Sequence, residues 1–136
     1  MTQEEKDLLS KDLCARLPYG VNGLVTFNGN IFMTQHQIED RTIDGKLYDR
    51  FAEFQDSWYD NVTINPYLFP LSSMSEDLKN ELYTNLTELE LKAINDEIEH
   101  SVVTAFEIDF YHKHHIDYRG LIPMGLAIDA TGKNIY

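Results

Sequence analysis

The sequence predicts an α+β fold, and three observations carry that prediction. The chain opens on a helical stripe, Leu9, Leu13 and Leu17, stacked at i, i+4 spacing. It continues into a hairpin signal: Leu24-Val25-Thr26-Phe27, then Asn28-Gly29, then Asn30 to Thr34. There Asn-Gly supplies the positive φ angles of a type I′ turn. The second half holds stretches headed by Ser or Thr with Glu three residues later, a pairing in which both side chains satisfy orphan N–H groups of a first helical turn. Together these describe a single domain, residues 1–136, with one small antiparallel sheet, an N-terminal helix and two to three further helices.

Taken in order, the first helix is expected from Gln3 to Arg16, started by the Thr2/Glu5 pair and ended by Pro18-Tyr19-Gly20. The hairpin register that follows from a two-residue turn places Val25 opposite Phe32 and Leu24 opposite Met33. Residues 44–60 are ambiguous. Leu47, Phe51, Phe54 and Trp58 recur at helical spacing, while Asp44-Gly45 and the aromatic content suit strands. A short strand is expected over 62–64, closed by Asn65-Pro66, and Pro66 and Pro70 bracket a run whose preceding residues avoid the helical region. The pairs Ser73/Glu76, Thr87/Glu90 and Thr104/Glu107 predict helices over 74–83, 88–99 and 105–115. Hydrophobic staples, Leu86 with Leu91 and Val103 with Ile108, accompany the last two pairs. Beyond Tyr118, Gly120, Pro123 and Gly125 predict a loop, Leu126 to Asp129 a strand, and Thr131-Gly132 a turn.

With 136 residues, 43% of them apolar and 12% aromatic, the chain has material for one core without help from a metal or disulfide. Cys14, the single cysteine, excludes an internal disulfide and a cysteine zinc site. The acidic start Met1-Thr2-Gln3-Glu4-Glu5 is unlike a signal peptide, and no apolar run approaches a membrane span. A cytoplasmic protein is expected, with no membrane association and no cofactor.

The net charge of −12 is unevenly placed. Residues 75–99 hold eight acids and two bases, so this short stretch carries half of the excess. Such a surface repels phosphate backbones, which argues against direct nucleic-acid binding, and it suits a basic protein partner.

Four features could carry chemistry. Asp109, His112 and His115 share a helical face at i, i+3, i+6, a conceivable zinc set, although the spacing lacks the i, i+4 His pair of common helical zinc motifs. The plainer reading is a helix C-terminus where His complements the macrodipole. Cys14 beside the leucine stripe reads as a small core residue before a nucleophile. Gly120 to Gly125 has phosphate-loop spacing, but Leu126-Ala127 stands where Lys and Ser/Thr would be needed. Finally, Tyr118 and Arg119, expected at the surface beside His114 and His115, are side chains of the kind that dominate binding interfaces. The alternative for them is structural: Arg119 capping the helix or pairing with Asp117, and Tyr118 half-buried.

Three blocks, Asp12-Leu13-Cys14-Ala15-Arg16-Leu17-Pro18-Tyr19-Gly20-Val21, Pro66-Tyr67-Leu68-Phe69-Pro70-Leu71-Ser72-Ser73-Met74 and His114-His115-Ile116-Asp117-Tyr118-Arg119-Gly120-Leu121-Ile122, resemble a group of small uncharacterised proteins of prophages and mobile elements in gut bacteria. They cover under half of the chain. The resemblance implies strands before Pro66, an accessory role in a phage or mobile element, and a host-directed binding role; it implies no activity.

Two functional classes follow. The first is a non-catalytic acidic protein-binding module, with a nucleic-acid mimic as its sharper form. The second is a small metal-dependent hydrolase built on His112 and His115.

Overall fold

The computed structural model describes residues 2–27, 30–38 and 62–136, with side chains described up to Leu24 and from Ile64 onward. The ambiguous segment 44–60 and the Asn28-Gly29 turn lie outside these residues. The elements are α1 (Gln3–Arg16), β1 (Val21–Phe27), β2 (Asn30–Ile38), β3 (Val62–Pro70), α2 (Glu76–Ile94), α3 (His100–Lys113), β4 (Ile116–Asp117) and β5 (Ile128–Asp129). The α+β class is as expected.

Helix α1 forms as its sequence dictates. The Thr2 hydroxyl accepts from the Glu5 N–H at 3.1 Å, and Glu4 and Glu5 complement the positive end of the helix dipole. Its stripe packs Leu9 and Leu13, both fully buried, against Val21 of β1 and Ile64 of β3. Cys14 and Leu17 close the edge of the same cluster, Leu17 from a 3-10 turn (Leu17–Tyr19) that ends at Gly20 with φ of 73°.

The hairpin keeps a two-residue-turn register only near its tip, where Phe27 faces Asn30 and Thr26 faces Ile31. Val25 then faces Met33 instead of Phe32, because the ladder shifts by one residue between Val25 and Thr26. A bulge of this kind changes which residues face each other beyond it, and turn residues alone do not announce it.

Strand β3 is the centre of the sheet, whose order is β2-β1-β3-β4 with β5 also on β3. It is longer than the expected 62–64 and runs through Pro66. That proline sits at the last rung with β1, opposite Gly23, where the strand exchanges one partner for others: Tyr67 faces Ile128 and Phe69 faces Ile116. Both later partners are parallel to β3, so the sheet is mixed and not purely antiparallel. These two-residue strands arrive through long crossovers, and the strand expected from Leu126 shortens to Ile128–Asp129.

The helices of the second half differ most from expectation. Ser75, not Ser73, caps α2, its hydroxyl accepting from the Leu78 N–H at 3.2 Å. Ser73 instead donates its hydroxyl to the Pro70 carbonyl within a 3-10 turn. Thr87 does not start a helix. It lies inside the 19-residue α2 and donates to the Tyr83 carbonyl four residues back, so the two expected helices are one. Helix α2 ends in a Schellman turn, with Glu97 N–H on Lys92 O and Asp96 N–H on Ala93 O, and with Asp96 at φ of 57° where glycine is usual. Helix α3 then begins at His100 behind Glu99, five residues before the expected start, and Thr104 is exposed within it. Neither staple forms, since Leu86 is core while Leu91 is exposed, and Val103 is mid-helix.

Two further core clusters lie among the described residues. Met74, Leu82, Leu86, Phe110 and Ile116 join α2, α3 and β4, and Leu68, Leu121, Leu126 and Ala127 pack the C-terminal loop on β3.

Since Leu13 has no solvent exposure and faces both β1 and β3, Leu13→Ala leaves a cavity in the middle of the first cluster. We expect a loss of roughly 2–5 kcal/mol in urea unfolding. A midpoint unchanged within error would remove α1 from the core.

Candidate functional site

The residues with chemical potential converge on one place, between the end of α1 and the segment leaving α3. Asp12 and Arg16 occupy the i, i+3, i+4, i+7 stripe with Leu9 and Leu13, so the helix carries them into the interior with the leucines. Both are completely buried. Arg16 Nε donates to Asp12 Oδ2 at 2.8 Å, and its Nη2 donates to the Ile116 carbonyl at 2.7 Å. The second Asp12 oxygen accepts from Arg119 Nε at 3.1 Å. One carboxylate thus serves two guanidinium groups. Arg16 Nη1 is buried and has no hydrogen-bond partner.

Arg119 is not the surface residue expected from its neighbours in sequence. Its side chain is only 22% exposed and its ion-pair partner is Asp12, across 107 residues, not Asp117. Tyr118 is half-buried, with the Arg119 and Arg16 guanidinium carbons 5.0 and 5.5 Å from its ring centroid and Tyr111 stacked at 5.5 Å.

The histidines are absorbed in the same way. His112 is buried, and its Nε2 lies 2.7 Å from the Tyr118 hydroxyl. Burial, and then the charge of Arg16, hold its pKa below the ordinary histidine value, which favours the neutral ring. His114 lies against Phe110 at 4.5 Å between ring centroids, and burial lowers its pKa too. His115 adopts φ of 59°, the left-handed conformation that ends α3 and turns the chain into β4. Its ring stacks on Tyr136 at 3.6 Å and 9°, and burial, with Arg16 and His114 adding to it, pushes its pKa down to about 4. The Tyr136 hydroxyl donates to the Tyr67 carbonyl at 2.7 Å and accepts from the Asn22 N–H at 3.0 Å.

The expected metal set does not assemble. Its i, i+3, i+6 face presumed a helix through His115, but α3 stops at Lys113 and the left-handed turn sends the His115 ring toward Tyr136. Asp109 is exposed, while His112 points inward to Tyr118. Among the described residues no group of three or more His, Cys, Asp or Glu side chains is placed to hold a metal ion. The Gly120 to Gly125 loop is likewise turned on an internal anion: buried Asp117 accepts from the N–H groups of Leu121 and Ile122, each at 2.9 Å. Gly125, at φ of 77°, closes the loop with Leu126 N–H on Leu121 O.

A second region faces solvent. Glu76, Asp77, Glu81, Glu88 and Glu90 of α2 are exposed, and their pairs with Lys79 (3.5 Å) and Lys92 (3.7 Å) are surface contacts of little consequence. Among them Tyr83, Leu91 and Ile94 are 58, 56 and 70% exposed. Where α2 meets α3, Glu90, Ile94, His100, Val103 and Thr104 line a shallow groove. Among the described residues no helix is long and apolar enough to cross a membrane.

Asp12 holds two guanidinium groups and is fully buried, whereas Arg119 is part-exposed. Asp12→Ala is therefore expected to cost roughly 3–5 kcal/mol in chemical unfolding, and Arg119→Ala distinctly less. Equal costs would mean that losing the Arg119 contact alone is as damaging as losing both contacts of Asp12.

The histidine shifts give a pH dependence of definite sign. His115 binds its proton near pH 6.5 when unfolded and near pH 4 when folded, so the unfolded chain takes up the proton first and stability falls as pH drops through that window. His115→Phe keeps a ring against Tyr136 but removes the titration. Its melting temperature is expected to fall less steeply between about pH 6.5 and 4 than that of the wild type. An identical slope would show that His115 contributes nothing to it.

The chain matches no family model, no curated protein sequence and no solved structure.

Proposed function

We propose that this protein is a non-catalytic, acidic protein-binding module that engages a basic protein partner, in an accessory role for a prophage or mobile element. The observation that carries the reading is the solvent face of α2, where three large apolar side chains stand among carboxylates in a stretch with eight acids and two bases. Apolar side chains this exposed on a helix that already has its own buried face, through Leu82, Leu86 and Ala93, are what an interface leaves uncovered when unbound. The surrounding carboxylates select a cationic partner and hasten encounter with it. The apolar side chains favour a protein groove or helix over phosphate mimicry, which needs carboxylates without such interruption. The hydrolase alternative is less favoured, because His112 is hydrogen-bonded to Tyr118 and His115 is stacked on Tyr136.

The test is affinity capture from bacterial lysate with the wild type and with the double reversal Glu88→Lys, Glu90→Lys. Both positions are exposed, so the variant should fold with stability within about half a kcal/mol of the wild type. A stoichiometric partner should be held at low salt, released as salt rises, and held more weakly by the variant. A partner insensitive to both salt and charge reversal, or no stoichiometric partner at all, would overturn the reading.

A further inference from the structure

Resting on the protein-binding reading above, we infer that the elbow between α2 and α3 seats an amphipathic basic helix of the partner, one of whose apolar side chains enters the groove lined by Glu90, Ile94, His100, Val103 and Thr104. Three observations lead there. First, the groove is apolar at Ile94 and Val103 and acidic around its margin, with Glu90 beside it and Asp96, Glu97 and Glu99 exposed on the turn that joins the helices. A second copy of this chain would bring carboxylates against carboxylates, and so would a nucleic acid or an anionic lipid surface in phosphate form. Charge complementarity leaves a cation-bearing protein segment.

Second, the apolar side chains form a line. Tyr83 and Ile94 are eleven residues apart and fall on one face of α2, about 16 Å along its axis at 1.5 Å per residue, with Thr87 between them. A partner that covers both is at least three turns of helix long. Third, the surface is built from two helices and offers no strand edge. An extended peptide laid here would keep its own N–H and C=O groups unpaired against apolar side chains, whereas a helix brings its backbone already satisfied. The Schellman turn at Asp96 ends α2 beside the groove.

The probe is a synthetic 18-residue peptide with Leu at i, i+3, i+4, i+7 spacing and Lys elsewhere, compared with an isomer of the same composition whose Leu residues are scattered. Fluorescence anisotropy against the full chain should give roughly tenfold tighter binding for the amphipathic peptide. Ile94→Ser, a change at an exposed position, should remove about tenfold of that affinity without shifting the melting temperature. Amide chemical shifts should move at Tyr83, Glu90, Ile94 and Thr104. Equal affinity for the two isomers, indifference to Ile94→Ser, or shifts confined to another face would each overturn the inference. If the lysate partner is still captured and still answers to Glu88→Lys, Glu90→Lys while the peptide arms fail, the broader reading stands and this one falls. If neither holds, both fall.

Discussion

The structure depends on one buried interaction, the Asp12–Arg16 pair. Neither side chain has any solvent exposure, and each would be costly to bury alone. They survive together because the carboxylate also accepts from Arg119 and the guanidinium also donates to the Ile116 carbonyl. That last bond joins residues 100 apart in sequence. It fixes α1 against the short strand that follows α3, which is paired in turn with the central strand β3. Removing Asp12 leaves the buried Arg16 charge uncompensated. The arrangement is imperfect, since Arg16 Nη1 goes unpartnered, at a cost of order 1–3 kcal/mol for such a donor.

Around this pair the C-terminal segment is organised as a series of ring contacts. Tyr118 lies beneath two guanidinium groups, His112 is hydrogen-bonded to its hydroxyl, and His115 is stacked under Tyr136. Asp117 meanwhile holds the loop that begins at Gly120 through two backbone amides. His112, Asp117, Tyr118 and Arg119 each hold one segment of chain against another. The lowered histidine pKa values belong to the same account. They record burial beside Arg16, and they make these rings good packing elements near neutral pH.

The outer face of α2 has the opposite character. A single 19-residue helix presents its carboxylates and its exposed Tyr83, Leu91 and Ile94 as one continuous surface, which two shorter helices with a break near Thr87 would not do. The division is physical. The Asp12, Arg16 and Arg119 charges lie inside and hold one another, and the excess of negative charge on α2 lies where water screens it.

Much of this was legible in the amino-acid sequence alone. The α+β class, the extent of α1, its Thr2 cap and its Leu9 and Leu13 stripe all arise from interactions within a few residues, so local pattern determines them. The acidic exposed face of α2 was legible for the same reason. What the sequence could not decide is where local signals compete with tertiary contacts. Thr87 and Thr104 carry the pattern of a helix start, yet packing of Leu82, Leu86 and Phe110 keeps the chain helical through both. His115 ends α3 in a left-handed turn without glycine because pairing with β3 and the stack on Tyr136 stabilise that turn. Asp12 and Arg16 were readable as helical neighbours on the leucine stripe, but that stripe says only that they face inward. Their partners, Ile116 and Arg119, lie about a hundred residues away, and only the folded chain brings a second guanidinium and a free carbonyl to the same carboxylate and arginine.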